Sequence, residues 1–250
     1  MKKRLSGNAL KTIAIGAMTI DHIGYSIVFR LYLAACMVDG VDMLGAARPP
    51  EAMRMYALYT ACRLIGRIAA PIFAFLLVEG ARRTRDIRRY ALRLFLFAIV
   101  AEVPYDLFTN GTAFYVYDHN IFWSLLLGLM MLAALDKWAR KGAFRRWLKA
   151  AAIWAAAYGI AEAAHFDPGV VLMIAAIDLF REQKAWGAAG VMAAAARIAR
   201  MGLGFVQWAC LAAFPLLALY NGQRGRGNKY LFYAYYPAHL LVLWFIAQRL

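Results

Sequence analysis

The feature that most constrains this chain is the recurrence of long apolar runs cut by short polar or basic stretches. A bilayer-spanning helix needs ~20 mostly apolar residues. Read at that length, the sequence gives nine candidate segments: residues 8–30, 55–78, 89–108, 120–136, 147–164, 168–180, 185–199, 202–220 and 230–248. The sixth and seventh are short, so the count lies between eight and ten. Hydrophobic residues make up 64% of the 250 and charged residues 17%, against roughly 45–50% and about 25% in a soluble domain. No stretch reads as a soluble domain, a linker or a low-complexity tail. The expectation is one integral membrane domain over 1–250, an all-α, polytopic transmembrane helical bundle of about nine spans. Lys2, Lys3 and Arg4 before an apolar run imitate a secretory signal, but an ionisable pair inside that run argues for a retained first helix.

A net charge of +15 would suggest nucleic acid in a soluble protein. Here the basic residues gather in alternate connections. Arg82, Arg83, Arg85, Arg88 and Arg89 lie between segments two and three; Lys137, Arg140, Lys141, Arg145, Arg146 and Lys149 between four and five; Arg224, Arg226 and Lys229 before the last. The other connections carry acids or no Lys or Arg, as in 31–53 with Asp39, Asp42 and Glu51, and in 109–119. That asymmetry puts the N-terminus in the cytoplasm and, with nine spans, the C-terminus outside. The implied location is a bacterial cytoplasmic (inner) membrane, with the lipid bilayer and no nucleic acid as partner. Arg197 and Arg200, in an expected outer loop, are the one discord.

Against that background the stretch TIDHIG stands out, because Asp21 and His22 sit inside the first apolar run. Taking ~1.5 Å of rise per residue across ~30 Å of hydrocarbon, His22 lies about two thirds of the way out. Arg63, Arg67 and Glu102 fall at a similar outer level, with Asp106 and Asn120 near the outer face. His239 lies near the midplane. Arg63 and Arg67 are four apart, as are Glu102 and Asp106, so each pair shares a helix face and the two cations could face the two acids. One outcome is an ion-pair network that only locks helices together; ionisable groups in spans are otherwise functional. Asp21 and His22 point about 100° apart on a helix, so Asp21 is the better partner for Arg63 or Arg67. His22 is the natural proton acceptor for a hydroxyl or amine. His119 and His165, in outer loops, read as solvated. Cys36, Cys62 and Cys210 have no metal-ligand or disulfide spacing; Cys36 as an acyl carrier is outweighed by packing.

Several stretches together resemble a known family: LSGNALKTIAIGAMTIDHIG, RLIGRIAAPIFAFLLVEGARRTRD, LRLFLFAIVAEVPYDLF, NIFWSLLLGL, the DPG turn before VVLMIAAIDLF, and KYLFYAYYPAHLLVLW. In order, from residue 5 to residue 244, they look like successive motifs of the TraX family, named for a conjugative-pilus protein that N-acetylates pilin. That family is distantly similar to membrane acyltransferases such as heparan-glucosaminide N-acetyltransferase. Its polar positions match Asp21, His22, Arg63, Arg67, Glu79, Glu102, Asp106, Asn120 and His239. Ser124, Ala70 and Pro168 depart from the pattern, and Pro168 bears on the outer turn near Asp167.

The resemblance implies an acyl-CoA-dependent transferase, with acetyl-CoA the default donor and no metal. The acceptor would be an amine or hydroxyl on a pilin-like protein or envelope polysaccharide outside. Arg82, Arg83, Arg85, Arg88 and Arg89, with Arg224, Arg226 and Lys229, would hold the CoA phosphates, unless they serve only topology. His22 would deprotonate the acceptor or itself take the acyl group. Arg63, Arg67 or Asn120 would stabilise the oxyanion, with Asp21 or Glu102 keeping them in register. A reading from another class is a proton-coupled transporter using Asp21, His22, Glu102, Asp106 and His239 as a relay. It predicts inverted repeats, which the sequence does not show.

Overall fold

In a computed structural model the described residues are 4–38, 41–42, 48–139, 145–179, 204–227 and 229–250. They are mostly helical, with one short hairpin ladder, β1 at Met37–Val38 and β2 at Val41–Asp42, and an isolated bridge between Leu5 and Tyr220. We number the helices α1 Gly7–Cys36, α2 Pro50–Arg83, α3 Ile87–Asn110 and α4 Ile121–Ala134, the last extended by a wide π-turn Leu135–Ala139. Then come α5 Arg145–Ala163, α6 Pro168–Leu179, α7 with a 3-10 stretch Gly204–Ala212 leading into Ala213–Ala218, and α8 Lys229–Ala247. Eight of the nine expected segments are thus met by helices. The segment 185–199, with Arg197 and Arg200, lies outside the described residues, as do Lys2, Lys3, Asp39, Arg140 and Lys141. Among the described residues two helices, Gly7–Cys36 and Pro50–Arg83, are long and apolar enough to cross a membrane.

The expected outer connection 31–53 is shorter than the sequence reading had it. Residues 31–36 remain apolar and stay helical, and Pro50 starts α2 at a position where its missing N–H costs nothing. Other helix starts follow their capping residues. Ser6 accepts from the Ala9 N–H, Asp86 from Arg89, and Asn120 from Phe122. Asp167 accepts from the Gly169 and Val170 N–H groups, with Pro168 opening α6. The departure at Pro168 therefore fits a helix start.

Two local irregularities shape the site. In α1 a π-helical turn, Gly24–Val28, begins just after His22. In α2 the helix is interrupted at Arg67–Ile68. Pro71, four residues on, has no N–H for the Arg67 carbonyl, and that accounts for the break.

The helices enclose a core rich in small residues. Ala14, Ala74, Ala98 and Ala161 are fully buried beside Leu10, Ile72, Leu129, Ile174 and Leu240, and small side chains let helix backbones approach closely. α3 is apolar on its outward face as well as its inward one. Leu92, Leu96, Ile99 and Val100, on one stripe, are about half exposed at 50–57%, whereas Leu94, Ala98, Ala101 and Asp106 face inward. The chain ends lie at opposite ends of the bundle: Asn8 donates to the Gly225 carbonyl at one, and Arg30 to the Ala247 carbonyl at the other.

α1 and α2 cross closely at Gly24, where an added Cβ would lie 2.5 Å from the Cys62 Cβ. Gly16, also on α1, has nothing within 4 Å of such a Cβ. Gly24→Ala is expected to cost about 1–3 kcal/mol by overpacking, while Gly16→Ala should be neutral or stabilise by up to about 1 kcal/mol. Thermal unfolding of the two variants in the same detergent measures the difference.

Candidate functional site

The site grows from Asp21. Its Oδ2 accepts from Arg63 Nη1 at 2.8 Å, and Arg67 Nη2 reaches Oδ1 at 2.8 Å and Oδ2 at 3.0 Å. The approach is possible because Gly66, between the arginines, has no side chain: a Cβ there would lie 2.2 Å from the Asp21 Cβ. Asp21 and Arg63 are buried. Asp21 is thus the partner of both arginines, as the sequence favoured, and the other arrangement the spacing allowed, with the two cations facing Glu102 and Asp106, is not formed. α1, not α3, packs against this part of α2, and one carboxylate takes both cations. The triplet carries a formal charge of +1.

His22 projects from the next position and stacks on His239, with ring centroids 5.0 Å apart. His22 Nδ1 and His239 Nε2 are 2.8 Å apart, and His239 Nδ1 lies 3.0 Å from the Tyr235 carbonyl oxygen. Hydrogen-bond accounting assigns the tautomers. A carbonyl only accepts, so His239 Nδ1 carries the proton and, in the neutral ring, its Nε2 is the acceptor. His22 must then donate from Nδ1, which leaves its Nε2 with a free lone pair.

Glu102 has its own cluster. It bonds His119 Nδ1 and the Asn120 side-chain amide, and Oε2 accepts from Trp123 Nε1 at 2.9 Å. Asn120 also donates to the Ala98 carbonyl at 2.8 Å. Asp106 does not join either set. It is almost fully buried, and its Oδ2 accepts the Tyr115 N–H at 2.9 Å, pinning the 111–120 loop.

A cavity of about 570 Å³ lies between these groups. Asp21, His22, Arg63, Arg67, His119 and His165 line it. Glu102, Asn120 and His239 are not in its wall; they support residues that are. His119 and His165, read as solvated, are thus both placed in the site. A histidine in a loop gives no sequence signal of a carboxylate 17 residues earlier. His165 adopts φ 55°, in the left-handed region, at the turn into α6. Asp118 also lines the cavity, bonded by the Tyr105 hydroxyl at 2.9 Å. Burial raises its carboxyl above the ordinary aspartate range, against the opposing pull of that hydroxyl and the His119 N–H. Cys36 packs with Tyr32 and Ala52. It lies away from this wall, as packing predicts.

A second cavity, of about 390 Å³, opens toward the other end of the bundle. Lys11, Arg83, Arg93 and Arg224 line it. The two cavities share Met18, Phe73, Ile121 and Tyr236 as common wall. Of the arginines expected to hold phosphates, Arg83 and Arg224 lie here, Arg83 bonded to Glu79 at 2.7 Å. Arg82 and Arg85 line a separate cavity beside Asp136 and Asp178, with Arg82 Nε 3.0 Å from Asp178. Arg88 is exposed, and Arg89 pairs with Asp86 at 3.0 Å on the surface. The Lys229 side chain lies outside the described residues. Lys11 and Arg93 were missed because they sit inside apolar segments rather than in a basic run.

Because one carboxylate pairs with the buried Arg63 and the half-buried Arg67, Asp21→Asn should cost roughly 3–5 kcal/mol, the usual penalty for orphaning a buried charge. Thermal unfolding in detergent tests this, and an unchanged midpoint would show that the triplet does not hold α1 to α2.

Comparison with known proteins places these groups in a family. A probable fimbrial assembly protein, FimC of serogroup H1, from Dichelobacter nodosus is 27% identical over 263 residues, covering 94% of this chain and 92% of the relative. No solved structure matches. The family model described as TraX protein matches residues 6–247, and the chain therefore belongs to the TraX family.

Proposed function

We propose that this protein is a polytopic inner-membrane acyltransferase that moves an acyl group from cytoplasmic acyl-CoA to an acceptor on the outer side. The observation that carries the reading is the meeting of two cavities. One has a cationic rim of Lys11, Arg83, Arg93 and Arg224; the other contains the free Nε2 of His22; they share a wall at Met18, Phe73, Ile121 and Tyr236. The apolar outward stripe of α3 suits lipid contact. Opposed chain ends suit an odd number of crossings, nine in our reading, with the basic end in the cytoplasm.

CoA is anionic at its nucleotide end, and Arg224, Arg83, Arg93 and Lys11 would bind those phosphates. The thioester would then reach the shared wall and meet His22. There Nε2 can accept the acceptor's proton in direct transfer, or attack the thioester carbonyl and carry the acyl group itself. His239, held by the Tyr235 carbonyl, fixes the His22 ring. As the carbonyl oxygen becomes negative, the surplus positive charge of the Asp21–Arg63–Arg67 triplet stabilises it in a water-poor site. Asn120, bonded to Glu102 and behind the wall, leaves that role to the arginines. Acetyl is the acyl group the family implies. The fimbrial name of the relative supports a pilus subunit as acceptor.

The purified protein is expected to release CoA from acetyl-CoA and to be thermally stabilised by CoA. His22→Ala should abolish release while keeping that stabilisation. A transporter would release none, and absence of both effects in the unaltered protein would overturn the proposal. Lys11→Gln and Arg224→Gln should each raise the KM for acetyl-CoA about tenfold, because a hydrogen bond to a charged group contributes about 1.5–3 kcal/mol. An unchanged KM in steady-state assays would place the CoA phosphates elsewhere.

A further inference from the structure

The outer cavity holds a second imidazole that the reaction above does not use. His119 Nδ1 is bonded to Glu102. Glu102 is fixed in turn by the Asn120 amide and by Trp123 Nε1, so its carboxylate orientation is over-determined. A carboxylate accepts only, which puts the proton of His119 on Nδ1 and leaves Nε2 unprotonated. No described residue hydrogen-bonds that Nε2, and the ring belongs to the cavity wall. Trp123 and Phe166 hold the ring, with centroids 6.5 and 5.5 Å away. A carboxylate-oriented imidazole in a cavity wall, its far nitrogen without a protein partner, suits a general base.

Position distinguishes the two histidines. His22 lies beside Met18, which both cavities share, so it is the imidazole on the route from the basic end. His119 follows the loop 111–118, with Tyr117, Asp118 and His165 as neighbours in the wall, on the side an external acceptor would enter. A histidine that carries an acyl group cannot at the same moment take a proton on the same nitrogen. Transfer through His22 therefore needs another base.

We propose that His119, oriented by Glu102, is that base and serves the acceptor, while His22 serves the thioester; this rests on the acyl-transfer reading. In the first step His22 Nε2 attacks the thioester carbonyl. The carbon–sulfur bond breaks, its electron pair leaves with the CoA thiolate, and an acyl–Nε2 bond forms. In the second the acceptor's N–H or O–H proton passes to His119 Nε2 as the acceptor atom bonds the acyl carbon. The acyl–Nε2 bond then breaks, and its pair returns to His22. His119 is left as an imidazolium beside the Glu102 carboxylate and releases its proton to water at the outer mouth. His119 is a catalytic residue in this scheme, and Glu102 a positioning residue.

The two steps separate experimentally. Exchange of labelled CoA into acetyl-CoA reads the first alone; net CoA release, with ethanolamine added and water always present as acceptor, reads both. In His119→Gln, net release should fall about 100-fold while exchange stays within about twofold and CoA still stabilises the protein thermally. In His119→Ala, added imidazole should restore release, which it could not do for a residue that only holds the loop in place. Glu102→Gln should act in the same direction as His119→Gln. The assignment is overturned if release survives in His119→Gln, if exchange falls along with release, or if the unaltered protein releases CoA without exchange, since His22 is then the only base needed. An unaltered protein that neither exchanges nor releases removes the acyl-transfer reading itself, and the role of His119 with it.

Discussion

The arrangement depends on a single buried carboxylate that holds two guanidinium groups, the buried Arg63 and the half-buried Arg67. Asp21 lies within 3.0 Å of Arg63 and Arg67, and the glycine between those arginines makes room for it. Removing charges from water is costly, and attraction offsets that cost only when geometry and hydrogen bonds are good. Here the offset is incomplete by one unit of charge. The remaining positive charge sits in the wall of the outer cavity, next to the histidine whose Nε2 is unoccupied. The same contact joins α1 to α2 and fixes the electrostatics of the site.

Helix irregularities place that contact. Pro71 opens α2 at Arg67–Ile68, so the two arginines stand at the end of one straight helical piece. In α1 the wide turn Gly24–Val28 follows His22 directly, and wide turns of this kind recur at functional sites. Both departures from regular helix lie beside the cavity, while the alanine-rich packing of the core is regular.

The hydrogen-bond chains give the histidines unequal roles without any change of residue type. His239 ends on a backbone carbonyl and orients His22; Glu102 ends on an indole and an amide and orients His119. In each case a group that can only accept forces the near nitrogen to donate, and the far nitrogen is left free. Two imidazoles, each with one nitrogen that no described residue bonds, thus line one cavity.

Much of this was legible in the sequence. Apolar length alone located eight helices, because a run of that length has few places to be except in hydrocarbon or a core. Asn120, at the start of the fourth apolar segment, caps α4 through its bond to the Phe122 N–H. The cost of charge in apolar surroundings singled out Asp21, His22, Arg63, Arg67 and Glu102. Spacing along one helix could not decide which helix each charge faces. Spacing left Arg63 and Arg67 able to face Glu102 and Asp106 as well as Asp21, of which the structure has Asp21, and it left His119 reading as solvated. The family motifs are contiguous stretches, and they too carry no information on contacts between stretches. Which cation meets which carboxylate, which histidines pair, and which basic residues border a cavity are set by packing between elements distant in sequence. Those choices, unlike helix formation, exist only once the tertiary structure is assembled.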